Sequence, residues 1–172
     1  MRKKGIGIKL YMLIIFVMVF ILGISSFSWI SFQRLDQSQK ISLQATVEYI
    51  NIVDNARQAQ VSFKKQVQEW KNILLRGNDS EKFNKYYSQF TQENDNVQTQ
   101  LIQLKEDMAK QDMETSSVDA LLDSHKVLYS KYKEVLKSYD KNNIESYKIV
   151  DGLVTGIDRK TTDDMDALVK QI

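Results

Sequence analysis

Residues 49–76, YINIVDNARQAQVSFKKQVQEWKNILLR, carry apolar side chains at Tyr49, Ile52, Ala56, Ala59, Phe63, Val67, Trp70 and Leu74. The steps are three or four throughout, with one four-four stutter at Phe63, so they draw a single stripe along a helix and predict a coiled-coil-like seam. Leu43, Val47, Ile50 and Val61 make a second, weaker stripe, which a helix with one packing neighbour does not need; it predicts a homodimer face. No breaker lies between residues 33 and 76, so the segment should run unbroken to Gly77, a C-terminal cap.

Working outward in both directions, the rest of the chain allows little else. It has 172 residues, no proline, no cysteine and six glycines. Breakers are scarce and disulfide staples impossible, which predicts an all-α protein. Lys, Glu, Gln, Asp, Asn and Ser dominate after the first thirty residues, the composition of exposed helix faces around a slender core. The formal net charge is +2 with both signs interspersed. No basic footprint for nucleic acid exists, and DNA and RNA are excluded as partners. Without cysteine there are no zinc-thiolate sites or thioether-bound haem, and the compartment must be read from topology.

Residues 10–32, LYMLIIFVMVFILGISSFSWISF, contain no charge. At about 1.5 Å per residue they span a ~30 Å hydrocarbon layer, the expectation for a transmembrane helix. Arg2, Lys3, Lys4 and Lys9 precede it, while Arg34 and Asp36 offset one another after it. The positive-inside rule then puts a basic segment, 1–9, in the cytoplasm and residues 33–172 outside, with the anchor in the cytoplasmic (inner) membrane and its lipid. Tyr11, Trp29 and Phe32 fit the interfacial belts. The alternative is a cleaved signal peptide with Ser26 and Ser28 at the processing site, but this apolar run exceeds the ~7–15 residues usual for one.

Beyond Gly77, Asn78 and Asp79 can cap a second helix, with Glu81 three residues after Asn78 as in a capping box. Its seam is Phe83, Tyr86, Tyr87, Phe90, Asn94, Val97, Leu101, Leu104 and Met108, and it should fade near Gln111. A third helix opens at Ser116 or Ser117 and follows Val118, Leu121, Leu122, His125, Leu128, Tyr132, Val135 and Tyr139. After a polar turn at 140–143, a fourth follows Tyr147, Val150, Val154, Ile157, Thr161, Leu168 and Ile172. Short connections make neighbours antiparallel, so the transmembrane helix should continue into an up-down four-helix bundle over 33–172. The first helix needs about 44 residues from the distal tip to the membrane and the fourth has about 29, so the bundle is expected to be C-terminally incomplete, its reading frame continuing beyond Ile172.

Two stretches resemble the sensor regions of methyl-accepting chemotaxis proteins. They are FKKQVQEWKNILLRGNDSEKFNKYYSQF at 63–90 and GLVTGIDRKTTDDMDALV at 152–169. The resemblance implies a periplasmic sensor region of four-helix-bundle type, a homodimer that detects an external small molecule or a periplasmic binding protein. Transmission to a cytoplasmic histidine kinase would pass through a second membrane helix, a HAMP linker and a cytoplasmic hairpin, none of which lies within residues 1–172. The arginine cluster by which aspartate receptors hold their ligand has no counterpart, since Arg57 stands alone on its part of helix one.

Counted from the distal tip, Gln60, Asn94, His125 and Asp158 fall at one depth, and Asn94 and His125 occupy seam positions. Unpaired polar groups there would cost about 1–3 kcal/mol each, which predicts a hydrogen-bonded polar layer. Such a layer either fixes register or binds a ligand, and a protonatable His125 makes it pH-sensitive. Asp158 with Arg159 can bind a charged effector or form a surface ion pair. Arg76 complements a helix C-terminus. The Gly152-x-x-x-Gly156 spacing is a weak packing signal in a polar helix, the tyrosines and Trp70 read as core, and Asp163, Asp164 and Asp166 read as a solvated face.

One histidine, no cysteine, no Gly-rich phosphate loop and no Glu-x-x-His pair leave no basis for an enzyme, a cofactor or a metal site. The expected function is non-catalytic ligand sensing and signal transduction by a transmembrane chemoreceptor. The alternatives are the input domain of a sensor histidine kinase or of a cyclic-nucleotide signalling protein, and a membrane-tethered helical scaffold without signalling.

Overall fold

The computed structural model describes residues 4–172. Arg2 and Lys3 of the basic segment lie outside the described residues, and Lys4 is described in its backbone alone. Five helices follow in order: α1 Lys4–Arg76, α2 Ser80–Lys110, α3 Ser116–Leu136, α4 Ser146–Val154 and α5 Arg159–Gln171. Every element among the described residues is helical, as the scarcity of breakers predicts. The chain forms two units, one ending at Val47 and the other Glu48–Ile172.

In the first unit every described side chain is exposed, including Phe16, Phe20, Trp29 and Phe32. This is the one helix among the described residues long and apolar enough to cross a membrane. Its polar groups are satisfied locally: the Ser26 hydroxyl donates to the Leu22 carbonyl at 2.8 Å, and Lys40 pairs with Asp36 at 2.7 Å, four residues away in each case.

In the second unit the helices are antiparallel neighbours, and named contacts set their register. Gln111 donates to Glu48 at 2.5 Å and Asn55 to Asp107 at 3.0 Å, tying α1 to α2. Lys105 meets Asp119 at 2.7 Å, and the Phe83 and Tyr139 rings stack at 5.9 Å, tying α2 to the start of α3 and to the turn that follows it. The last arm returns along α1, with Gln60 donating to Asp166 at 2.6 Å and the Tyr49 hydroxyl donating to the Ile172 carbonyl. Inside lie Ile52, Ala59, Phe90, Val97, Leu101, Leu104, Val118 and Val150, none with measurable exposure. Each large member contributes about 1.5–3 kcal/mol by leaving water.

The seams depart from expectation in two places on α1. Tyr49 is 47 % exposed, and Val67 is half-buried while Gln66 takes the interior position at 1 %. The inward face runs through Phe63, Gln66, Trp70 and Ile73, steps of three and four that follow the helical period more closely than the heptad stutter does. The second stripe is exposed at Leu43, Val47, Ile50 and Val61.

Caps decide the turns. Gly77 ends α1 with its N–H on the Ile73 carbonyl at 2.8 Å, and a Cβ there would stand 2.3 Å from that carbonyl oxygen and 2.9 Å from Phe83. Closeness, rather than a left-handed backbone, demands glycine. Asp79 is the N-cap of α2, accepting from the Glu81 and Lys82 N–H groups at 2.9 and 3.1 Å. The capping box expected from Asn78 to Glu81 does not form, because Asn78 instead accepts from the Asp79 N–H. Helix α3 stops at Leu136, short of Tyr139.

The expected single fourth helix is two. After Val154 the backbone turns through Thr155 (φ −53, ψ 117) and Gly156 (φ +74) before α5 begins at Arg159. A left-handed residue cannot continue a right-handed helix, and glycine adopts it without strain. The Thr155 hydroxyl donates to the Asp151 carbonyl at 2.9 Å. A Cβ added at Gly152 would meet nothing within 4 Å, so the Gly-x-x-x-Gly spacing marks a turn and not a packing face.

Candidate functional site

The interior holds a polar bridge in place of the expected four-residue layer. His125, fully buried on α3, has its Nε2 2.7 Å from Gln66 Oε1 on α1 and its Nδ1 2.6 Å from Gln98 Nε2 on α2. A neutral imidazole satisfies both contacts: Nε2–H donates to the Gln66 oxygen, and Nδ1 accepts from the Gln98 amide. The Phe63 ring closes over His125 edge-on at 5.7 Å. Burial pushes the imidazole down to about 4 from 6.5, because a charged ring in this interior would forfeit its hydration.

The other expected members go elsewhere. Asn94 is buried at 8 %, yet it donates to Asp95 on its own helix at 3.0 Å. Gln60 turns toward Asp166, which also lies 3.4 Å from Lys64. Asp158 and Arg159 sit at the start of α5 beside the break in the last arm. A count of residues from the tip puts Asp158 at His125's depth. The extra turn residues at 155–158 spoil that count, and Asp158 comes to lie by Trp70 and Tyr132. Neither Gln66 nor Gln98 stands out in the sequence as a site residue; the 63-66-70-73 spacing is the signal that finds Gln66.

At the α4–α5 break a cleft of about 370 Å³ opens against α1 and α3. Its floor is Trp70 and Tyr132, each 2 % exposed, with ring centroids 4.5 Å apart. Phe90 packs behind them at 5.8 Å from both rings. Its rim carries Asp151, Asp158, Arg159 and Lys71. The arrangement offers aromatic faces, a phenol and charges of both signs to a small molecule, and no nucleophile paired with a base. Tyr132 is held above the ordinary phenol range by burial first, then by the charges of Asp158 and Asp151. Among the described residues no group of three His, Cys, Asp or Glu side chains is placed to hold a metal ion.

The chain is similar to the methyl-accepting chemotaxis protein CtpH of Pseudomonas aeruginosa, 36% identical over 111 residues, which is 64% of this chain and 19% of that protein. The chain thus spans about a fifth of the length of the curated relative it matches. No family profile and no solved structure matches it. The similarity is to part of a methyl-accepting chemotaxis protein.

Proposed function

We propose that the helical unit Glu48–Ile172 is the ligand-sensing domain of a membrane-anchored chemoreceptor, held outside the cytoplasmic membrane by residues 10–32, and that it acts without catalysis. The observation that carries this reading is the interruption of the last antiparallel arm at Gly156, which opens a cleft over the buried Trp70–Tyr132 pair. A ligand there touches α1, α3, α4 and α5 together. It changes signalling only by binding one arrangement of α5 more tightly than another, and α5 returns along α1 through the contacts of Asp166 with Gln60 and Lys64. The exposed stripe Leu43, Val47, Ile50 and Val61 suits a homodimer, and the uncharged run at 10–32 suits an anchor with its basic end in the cytoplasm.

The test is a chimera. Residues 1–172 replace the matching N-terminal region of a methyl-accepting chemotaxis protein, and kinase output is followed in cells exposed to a metabolite library. At least one compound should shift output, and Tyr132→Phe in the chimera, which keeps the packed ring and removes the hydroxyl at the cleft, should weaken that shift. Constant output with every compound, from a stably inserted chimera, refutes sensing.

A further inference from the structure

We propose that the cleft at the α4–α5 break takes a small organic ammonium ion, its charged nitrogen against the carboxylates of Asp151 and Asp158 and its carbon body on Trp70 and Tyr132. The inference rests on the sensing reading above and names the ligand class.

Three features favour a cation. First, Tyr132 is 2 % exposed, lines the cleft, and its hydroxyl makes no hydrogen bond to the described residues. The oxygen keeps access to the cleft, where an ammonium N–H can donate to it. Second, two carboxylates stand together on the rim, at Asp151 and Asp158. Asp151 and Asp158 hold no cation within 4 Å among the described residues, although Arg159 and Lys71 share the rim. Third, Arg159 folds over the turn, its Nε, Cδ and Cζ lying 3.3, 3.6 and 3.8 Å from the position a Cβ would take on Gly156. Of the rim charges, those of Asp158 and Asp151, both negative, act on the Tyr132 hydroxyl. The Trp70 and Tyr132 rings border the cleft and give the ligand's carbon body an apolar contact, while the carboxylates set the sign. At about 370 Å³ the cleft is near the small end of ligand sites, suited to a metabolite-sized amine and too small for a peptide.

The test uses the full chain in lipid nanodiscs near neutral pH, titrated calorimetrically with n-butylammonium, choline and 1,5-diaminopentane. Butan-1-ol and butyrate serve as neutral and anionic counterparts. At least one cation should bind saturably below about 10 mM, at least about tenfold more tightly than either counterpart. The double variant Asp151→Asn/Asp158→Asn, nearly isosteric and confirmed folded by circular dichroism, should lose about tenfold or more in affinity. Binding by none of the three cations, or binding unchanged in the double variant, overturns the assignment. Butyrate binding that depends on Arg159, seen as its loss in Arg159→Gln, also overturns it while leaving the sensing reading intact. Conversely, a chimera silent to every compound refutes sensing even where the nanodisc protein binds amines.

Discussion

His125 and Gln66, 59 positions apart in the chain, meet at 2.7 Å across the interior of the bundle, and neither is more than 1 % exposed. Both ring nitrogens of His125 are engaged only when the ring is neutral. Protonation would place a second N–H against the Gln98 amide, donor facing donor.

Stability should therefore fall on acidification. The folded-state pKa, about 4, lies below the ordinary 6.5, so the unfolded chain binds the proton first. The contribution is fully present above pH 6.5 and is lost as pH falls from there toward 4. At about 1.4 kcal/mol per pH unit the loss amounts to roughly 3 kcal/mol. Urea unfolding across this range should show that slope in the native chain and not in His125→Leu; equal slopes would contradict it.

His125→Leu alone should destabilise at neutral pH by about 1–3 kcal/mol, because it leaves the Gln66 oxygen buried without a donor. Adding Gln66→Leu should recover most of that loss, since the buried Gln66 oxygen is gone and the half-buried Gln98 amide can turn to water. A double variant no more stable than the single one would show that the bridge does more than satisfy itself.

Phe90→Ala should cost about 3–5 kcal/mol, the range for deleting a buried ring that cannot be replaced by collapse. Phe90 is wholly buried against Trp70, Tyr129 and Tyr132, so the cavity would open directly beneath the cleft floor. Thermal unfolding measures the loss. By contrast, Lys64→Gln removes a half-exposed pair with Asp166 and should change stability by less than about 1 kcal/mol, less still in high salt.

Gly156→Ala should destabilise by about 1–2 kcal/mol, the cost of a left-handed backbone for a residue with a Cβ, and Gly156→Asn by less. Denaturant midpoints of the two variants order them. The same substitution at Gly152, which has open space around it, should be neutral or stabilising.

Val19→Lys, at an exposed position within 10–32, should raise the apparent free energy of membrane insertion by about 2.5–3.5 kcal/mol, read as the inserted fraction in a microsomal translation assay. Insertion as efficient as that of the native chain would argue against this segment as the anchor.

Much of this was legible in the residues themselves. A chain without proline, with seams repeating every three or four positions, can bury its apolar stripes only by packing helices together, and a long uncharged run is apolar whatever surrounds it. Those properties are local and additive along the chain, so the first three helices, the Gly77 stop and the burial of His125 could be read directly. What required the tertiary structure was depth and pairing. Four turn residues around Gly156 shifted Asp158 away from His125, and a rotation of the α1 face brought Gln66 inward where Val67 was expected. Both follow from one cause: which side chains meet depends on the accumulated rotation and rise of separate helices, and a single left-handed residue or a fraction of a turn resets that sum without leaving a mark on composition or period.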